Sequence, residues 1–464
     1  MTMKRRTYAA PAIIVIAVVS IFLLRTQTAS SQTSSFHASD PGVRGGSPAA
    51  GNPLPGLTPG QLALFNLAKQ EFLSVETVAD GLGPTMNLNS CVGCHLQPAA
   101  GGSSPPTNPQ VAFATLNGAD NVLPSFITLH GPVREARFVK NPDGSNDGGV
   151  HAIFTIQGRS DAIGCTAPQP DFRGAVANNN VIFRIPTPTF GAGLIEQIPD
   201  SALTANQAAN ATTKRTLGIS GRPNIVLSGN AISGQPNFNG NDGTAARFGW
   251  KAQNKSLLLF SGEAYNVEMG ITNDLFQTER YESANCPSQL PGTPNDATTS
   301  NTLSAIEQFA VFMRFLAPPT PNPSFPGGAT SIGRGKTQFT NVGCVHCHTP
   351  TLTTGKSTVA ALSNKPVNLY SDLMVHDMGP GLADGVSQGQ AGPSEFRTAP
   401  LWGLGQRIFF LHDGRTSDLI VAIEQHQSGS SRNNNASEAN AVVTNFNNLS
   451  ESSKQDLLNF LRSL

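Results

Sequence analysis

The chain has 464 residues, 30 Lys and Arg balanced by 30 Asp and Glu, and a composition that is 38% hydrophobic and 13% charged. A formal charge of zero excludes a chain-wide basic surface for nucleic acid, and the apolar content excludes wholesale disorder. With 46 Gly and 34 Pro it reads as loop-rich but globular, long enough for two ordinary domains plus insertions.

Lys4, Arg5 and Arg6 precede an apolar run over residues 9–24, the basic-then-apolar layout of an export signal. Roughly 20 residues span a bilayer comfortably, so residues 1–30 read as a signal peptide. An uncleaved N-terminal anchor is the alternative, because no clear small-x-small cleavage site precedes Ser30. Residues 31–56, rich in Ser, Gly, Pro and Thr, read as a flexible tether.

Thr58-Pro59 predicts a helix start, with Thr58 as cap, Pro59 in the first turn, and Phe65, Ala68 and Phe72 on one face. The turn cluster Asp80-Gly81-Leu82-Gly83-Pro84 follows, then the first cysteine pair at Cys91. Near the other end, Gly335-Lys336-Thr337-Gln338-Phe339 leads through Gly343 to a second pair at Cys344. Each unit closes with a similar aromatic helix, at 312–316 and at 460–464, so a weak internal repeat is visible.

The fold class expected is mainly α, with two cytochrome c-like haem domains at 57–317 and 327–464. The first would carry a loop-rich, partly β insertion at about 100–245, where Val181-Ile182-Phe183-Arg184-Ile185 reads as a strand. Residues 318–326 read as the linker.

Four of the six cysteines fall in two identical patterns, Cys91-Val92-Gly93-Cys94-His95 and Cys344-Val345-His346-Cys347-His348. Cys-x-x-Cys-His is the haem attachment signature: two thiols add to the porphyrin vinyl groups and the adjacent His ligates the iron. A four-cysteine zinc site or a thioredoxin-like pair leaves the trailing His unexplained. Two covalently bound haem c groups are therefore expected. Cys165 and Cys286, an even remainder in an oxidising compartment, suggest a disulfide, with two buried free thiols as the alternative.

What each iron can do depends on its sixth position. His426 follows Leu419, Ala422 and Ile423 on the apolar stripe of a helix begun by Thr416 or Ser417, and is the candidate for the C-terminal haem. Met374, His376 and Met378 form a rival cluster, with Met378 the second choice. For the N-terminal haem Met86, His130 and His151 are undistinguished candidates, so that iron is read as open. Glu268 is the candidate acid–base group for moving a proton in peroxide cleavage.

These residues resemble the bacterial di-haem cytochrome c peroxidase and MauG superfamily, and more closely its peroxidase-like branch of di-haem oxidoreductases, once labelled thiol oxidoreductases. The likeness covers most of residues 57–464. It rests on the turn cluster before Cys91, on Phe248-Gly249-Trp250-Lys251, on Glu268-Met269-Gly270-Ile271-Thr272 and on His376-Asp377-Met378-Gly379-Pro380. The strongest stretch is Phe396-Arg397-Thr398-Ala399-Pro400-Leu401-Trp402-Gly403, then His412-Asp413-Gly414-Arg415, then His426.

The resemblance implies that Trp250 lies between the haems, that Glu268 is the active-site carboxylate, and that His426 stands where peroxidases have methionine and MauG tyrosine. Histidine there implies a lower potential for the C-terminal haem. A calcium ion held by backbone oxygens near Thr398 and Pro400 is also implied.

The function expected is a periplasmic di-haem oxidoreductase, peroxidase-like, passing electrons from the haem on His348 to the haem on His95. A small cytochrome or cupredoxin would donate, and peroxide or another small oxidant would accept. The alternatives are a non-catalytic electron-transfer cytochrome and a MauG-like modifier of a partner protein.

Overall fold

A computed structural model of the chain describes residues 36–45, 49–84, 86, 88–116, 123–147, 150–151, 162, 169–229, 232, 241–278 and 294–464. The export segment, Cys165 and Cys286 lie outside these. The helices that carry the fold are α1 (Pro59–Phe72), α2 (Leu257–Met269), α3 (Ala305–Phe315), α4 (Gly328–Asn341), α5 (Leu419–Glu424), α6 (Asn440–Asn447) and α7 (Glu451–Ser463). Among the described residues strands are few and short and helix predominates, so the chain is mainly α. Among the described residues no helix is long and apolar enough to cross a membrane.

Helix α1 starts where the chain offers a cap. The Thr58 hydroxyl accepts the Gln61 N–H, and the Gln61 side chain accepts the Thr58 N–H at 2.9 Å, so two otherwise unpaired amides are satisfied reciprocally. Its Phe65, Ala68 and Phe72 are buried, as their spacing predicts. They pack on α3, where the Phe72 and Phe312 rings are 4.6 Å apart. Helix α2 covers the same core through Tyr265 against Phe309, at 5.0 Å.

The second half repeats this crossing. Helix α4 lies on α7 with the Phe339 and Phe460 rings 5.4 Å apart. The backbones approach closely because residue 335 is glycine: a Cβ there would meet the Asp456 carbonyl oxygen at 1.9 Å. Asp456 is in turn held by Ser331 at 2.5 Å and Arg334 at 2.6 Å, which ties the two helices side by side.

Between the first cysteine pair and α2, strands β1 (Glu135–Phe138), β2 (Val150–His151) and β3 (Val181–Arg184) form an antiparallel sheet with β1 in the centre, Glu135 facing Arg184. In the second half β4 (Val375–Asp377) pairs antiparallel with β5 (Glu395–Arg397), His376 opposite Phe396.

Two local readings change. Helix α5 is capped by Asp418, whose carboxylate accepts the Ile420 and Val421 amides, rather than by Thr416 or Ser417; it ends at Glu424, and His426 stands just beyond it. The described part of the expected tether is docked. Ala38 N donates to Glu451 at 2.8 Å, Arg44 N to the Gly405 carbonyl at 2.6 Å, and Leu54, 6% exposed, adds its N–H to Phe315. Asp40 receives the Arg462 guanidinium at 2.7 and 2.5 Å. Composition misses this because the partners that hold the segment, Glu451, Gly405, Phe315 and Arg462, lie hundreds of residues away in sequence.

Candidate functional site

Cys91–Cys94 forms a single helical turn whose start is capped by Ser90, its hydroxyl accepting the Gly93 amide at 3.3 Å. One turn puts the two thiols on the same side. His95 closes the turn, its N–H bonded to the Cys91 carbonyl. Its Nδ1 lies 3.0 Å from the Gly102 carbonyl, and the ring packs edge-on against Phe72 of α1, centroids 6.3 Å apart. Burial pushes it down to about 4 and so keeps the imidazole neutral.

The second motif repeats the arrangement. Gly343, with a φ of 104° that a side chain would resist, turns the chain into Cys344–His346. His348 Nδ1 lies 3.0 Å from the Tyr370 carbonyl, and Phe339 of α4 stands against the ring at 6.4 Å. Burial, then neighbouring His426, lowers it to about 4. A histidine anchored at Nδ1 ligates metal through Nε2, and the neutral form is the ligating one.

Each motif opens on a cavity. The first, about 900 Å³ including space open to solvent, is lined by Cys94, His95, Met86, Glu268 and Trp250 among others. The second, about 1390 Å³ on the same measure, is lined by Cys344, Cys347, His348, Met378, His426 and Trp250. Much of its remaining wall is aliphatic or aromatic, including Phe339, Leu419, Val443 and Phe446, which suits a flat apolar macrocycle. His426 shows the backbone anchoring seen in His95 and His348: its Nδ1 is 2.7 Å from the Ala422 carbonyl. The donor types and the cavity walls thus fit a haem at each motif.

The structure separates the rivals. Met374 is core, 1% exposed. His376 has both ring nitrogens engaged, Nε2 with Asp372 at 3.0 Å and Nδ1 with Glu438 at 2.7 Å. Burial opposes its charge, but Cys347 and Asp372 raise it well above the ordinary histidine value. Met378 does reach the second cavity. In the first half Met86 lines the cavity and His130 is exposed, while the side chain of His151 lies outside the description.

Glu268, near the C-terminal end of α2, is exposed to the first cavity while protein encloses its other sides. That enclosure, with Glu135 and Glu263 nearby and Arg137 opposing them, pushes its carboxyl up to about 8. The residues missed from sequence are these neighbours. Glu135 and Arg137, two apart on β1 and so on one face, form an ion pair at 2.7 Å; Glu263 is buried and receives Gln253 at 3.2 Å. The alternation Glu135-Ala136-Arg137-Phe138 was the available signal.

Trp250 borders both cavities. Its indole N–H donates to the Ile185 carbonyl at 2.9 Å, and its ring lies 6.4 Å from that of His412, edge to face. His412 in turn stacks on Phe396 at 4.3 Å.

Around Pro400, where calcium is expected, the cavity wall is cationic. The Thr398 carbonyl already accepts the Ser371 hydroxyl at 2.6 Å. A third cavity, of about 530 Å³, has Pro400, Arg397 and Arg407 in its wall and no carboxylate among the described residues. No group of three or more His, Cys, Asp or Glu suited to a metal ion occurs among the described residues. A calcium ion needs six to eight oxygens, commonly including carboxylates.

The model of the family described as "Di-haem oxidoreductase, putative peroxidase" matches residues 134–464. No curated protein matches the chain. Two solved structures are similar over part of it. One is Kuenenia stuttgartiensis hydrazine synthase pressurized with 20 bar xenon, at 18% identity and a TM-score of 0.23, covering 34% of this chain and 55% of that one. The other is a MauG-like protein associated with microbial copper homeostasis, at 19% identity and a TM-score of 0.24, covering 34% of this chain and 52% of that one. The chain thus spans about half the length of each.

Proposed function

The chain belongs to the di-haem oxidoreductase family, and on that premise we propose that it is an exported, periplasmic c-type oxidoreductase that reduces peroxide or another small oxidant. The observation that carries this reading is the duplicated site. Two Cys-x-x-Cys-His motifs each present a histidine anchored at Nδ1 beside a phenylalanine, each opens on its own cavity, and one tryptophan borders both.

In this proposal two cytochrome c-like domains, 57–317 and 327–464, hold the haems by thioether bonds at Cys91 and Cys94 and at Cys344 and Cys347. His95 and His348 are the proximal ligands, and His426, with Met378 as the next choice, is the second ligand in the C-terminal cavity. Haem, once bound, supplies one-electron chemistry at its iron and, where a coordination position is open, a place for a small oxidant.

The protein's own part is to hold, exclude and move. Glu268 stands in the N-terminal cavity with a carboxyl that titrates near the working range, suited to taking and returning a proton. Trp250 is fixed in the wall common to both cavities, on the path from the Cys344 site, where a small cytochrome or cupredoxin would deliver electrons, to the Cys91 site. No calcium enters this proposal.

A second reading has one observation in its favour: Met86 lines the same cavity as His95 and could close the open position, leaving a pure electron carrier. Optical and paramagnetic resonance spectra of the purified protein decide between them. A high-spin component that reacts with peroxide supports the oxidoreductase; low-spin spectra in every redox state, with no peroxide reaction, sink it.

A further inference from the structure

Among the described residues, Arg397 and Arg407 have no carboxylate partner. Arg397 is 6% exposed and spends Nε on the Gly249 carbonyl at 2.8 Å. Arg407 spends Nε on the Phe409 carbonyl at 3.1 Å, and its Nη2 is shut away from solvent with no hydrogen-bond partner. Burial pushes both down to about 10, and proximity to Arg407 further lowers Arg397; no carboxylate acts on either. A buried guanidinium left unpaired is costly, and a planar fork of donors matches a carboxylate. The missing anion should therefore belong to something the cavity receives.

Both arginines line the cavity of the Cys344 motif, and neither lines that of the Cys91 motif. The rest of the C-terminal cavity is largely apolar, whereas haem carries two carboxylates at one edge. We propose that Arg397 and Arg407 clamp the propionates of the C-terminal haem, and that this cationic clamp stands in place of the calcium ion expected near Pro400. The inference rests on the function proposed above.

Arg407 lies over the Trp250 ring, 5.6 Å from its centroid, so the clamp touches both the C-terminal haem edge and the residue common to the two cavities. Arg407 is a positioning residue: it fixes an edge and sets a local field, and takes no part in bond making.

In the haem-loaded protein, Arg407→Gln removes a positive charge that favours the reduced state. It is expected to shift the reduction equilibrium of the Cys344 haem about tenfold toward the oxidised form, 59 mV for one electron, and to move its propionate bending band in resonance Raman spectra. The Cys91 haem should hold its potential, and Arg407→Lys should recover most of the loss in potential. Chelating calcium from the wild-type protein should change neither potential. An unmoved potential and band in Arg407→Gln overturn the clamp, as does a wild-type potential that moves on chelation and returns with calcium. Should Arg407→Gln not fold, Arg407→Lys with an unmoved propionate band overturns it equally. Two haem equivalents by pyridine haemochrome in wild type and variants, with a peroxide-reactive high-spin signal in the wild type, separate failure of the clamp from failure of the function.

Discussion

Trp250 donates its indole N–H to the Ile185 carbonyl at 2.9 Å, so the ring that borders both cavities is anchored by a residue just beyond β3. The proposed route between the haems thus depends on one hydrogen bond as well as on ring placement. Trp250→Phe keeps an aromatic ring without the anchor, and Trp250→Ala removes both. In stopped-flow traces peroxide should react at an unchanged rate while re-reduction of the Cys91 haem slows, more in Ala than in Phe. Because Trp250 is 8% exposed, the Ala variant should also lose about 3–5 kcal/mol of stability by urea unfolding. Equal re-reduction rates in all three proteins would remove Trp250 from the route.

Glu268 must take a proton before it can return one, so its ionised form starts the cycle. With its carboxyl pushed up to about 8, about a tenth is ionised at pH 7. Peroxide turnover should therefore climb as pH rises through about 8 and then level. Glu268→Gln should abolish that rise and lower turnover by about a hundredfold or more, with both haems retained by pyridine haemochrome. A variant that keeps the wild-type profile would exclude the role.

His426→Ala should add a high-spin signal to the spectrum of the C-terminal haem or shift its potential, whereas Met378→Ala should leave both unchanged. Paramagnetic resonance and a redox titration make the comparison. The opposite pattern would transfer the ligand role to Met378, which lines the same cavity.

Asp40 neutralises Arg462 inside the protein, with side chains 7% and 1% exposed. Asp40→Ala should cost about 3–5 kcal/mol, since it leaves a buried cation uncompensated. Burial alone would raise the Asp40 carboxyl, but Arg462 and the Gly42 and Leu419 amides hold it below the usual 3.8. Its contribution is thus present above pH 3.8 and lost as pH falls through its lower folded value. Urea unfolding of wild type and variant should converge at strongly acid pH; a constant difference there would mean that the ion pair is not the cause.

The two cysteine motifs and the first helix were the most legible. Cys-x-x-Cys-His is a local signature, and the Thr58 cap and the Phe65, Ala68 and Phe72 stripe are local too, so short windows of sequence reveal them. Trp250 came only through resemblance and Glu268 gained most of its weight there, because nothing in their immediate neighbours marks a residue that works across a cavity. Glu135, Arg137 and Glu263 were missed since their importance arises from a strand and a helix meeting over Glu268. Asp418 displaced Thr416 and Ser417 as cap because its carboxylate can accept two amides at once. Arg407 gave no signal: an unpaired charge is visible only once the burial around it is known.

The ion pair between Asp40 and Arg462 joins positions 422 apart in sequence. During synthesis such a contact cannot form until the last helix has emerged, and closing so long a loop carries a large entropic cost that other contacts must first reduce. The early segment therefore waits, unfastened, while both cysteine motifs pass into place, and fastening it comes late. On the function proposed above, thioether formation at either motif would precede that closure, when the cavities are still accessible to a bulky cofactor. A protein that has lost the pairing should then mature with its haems attached yet release its C-terminal helix to protease sooner than the intact chain.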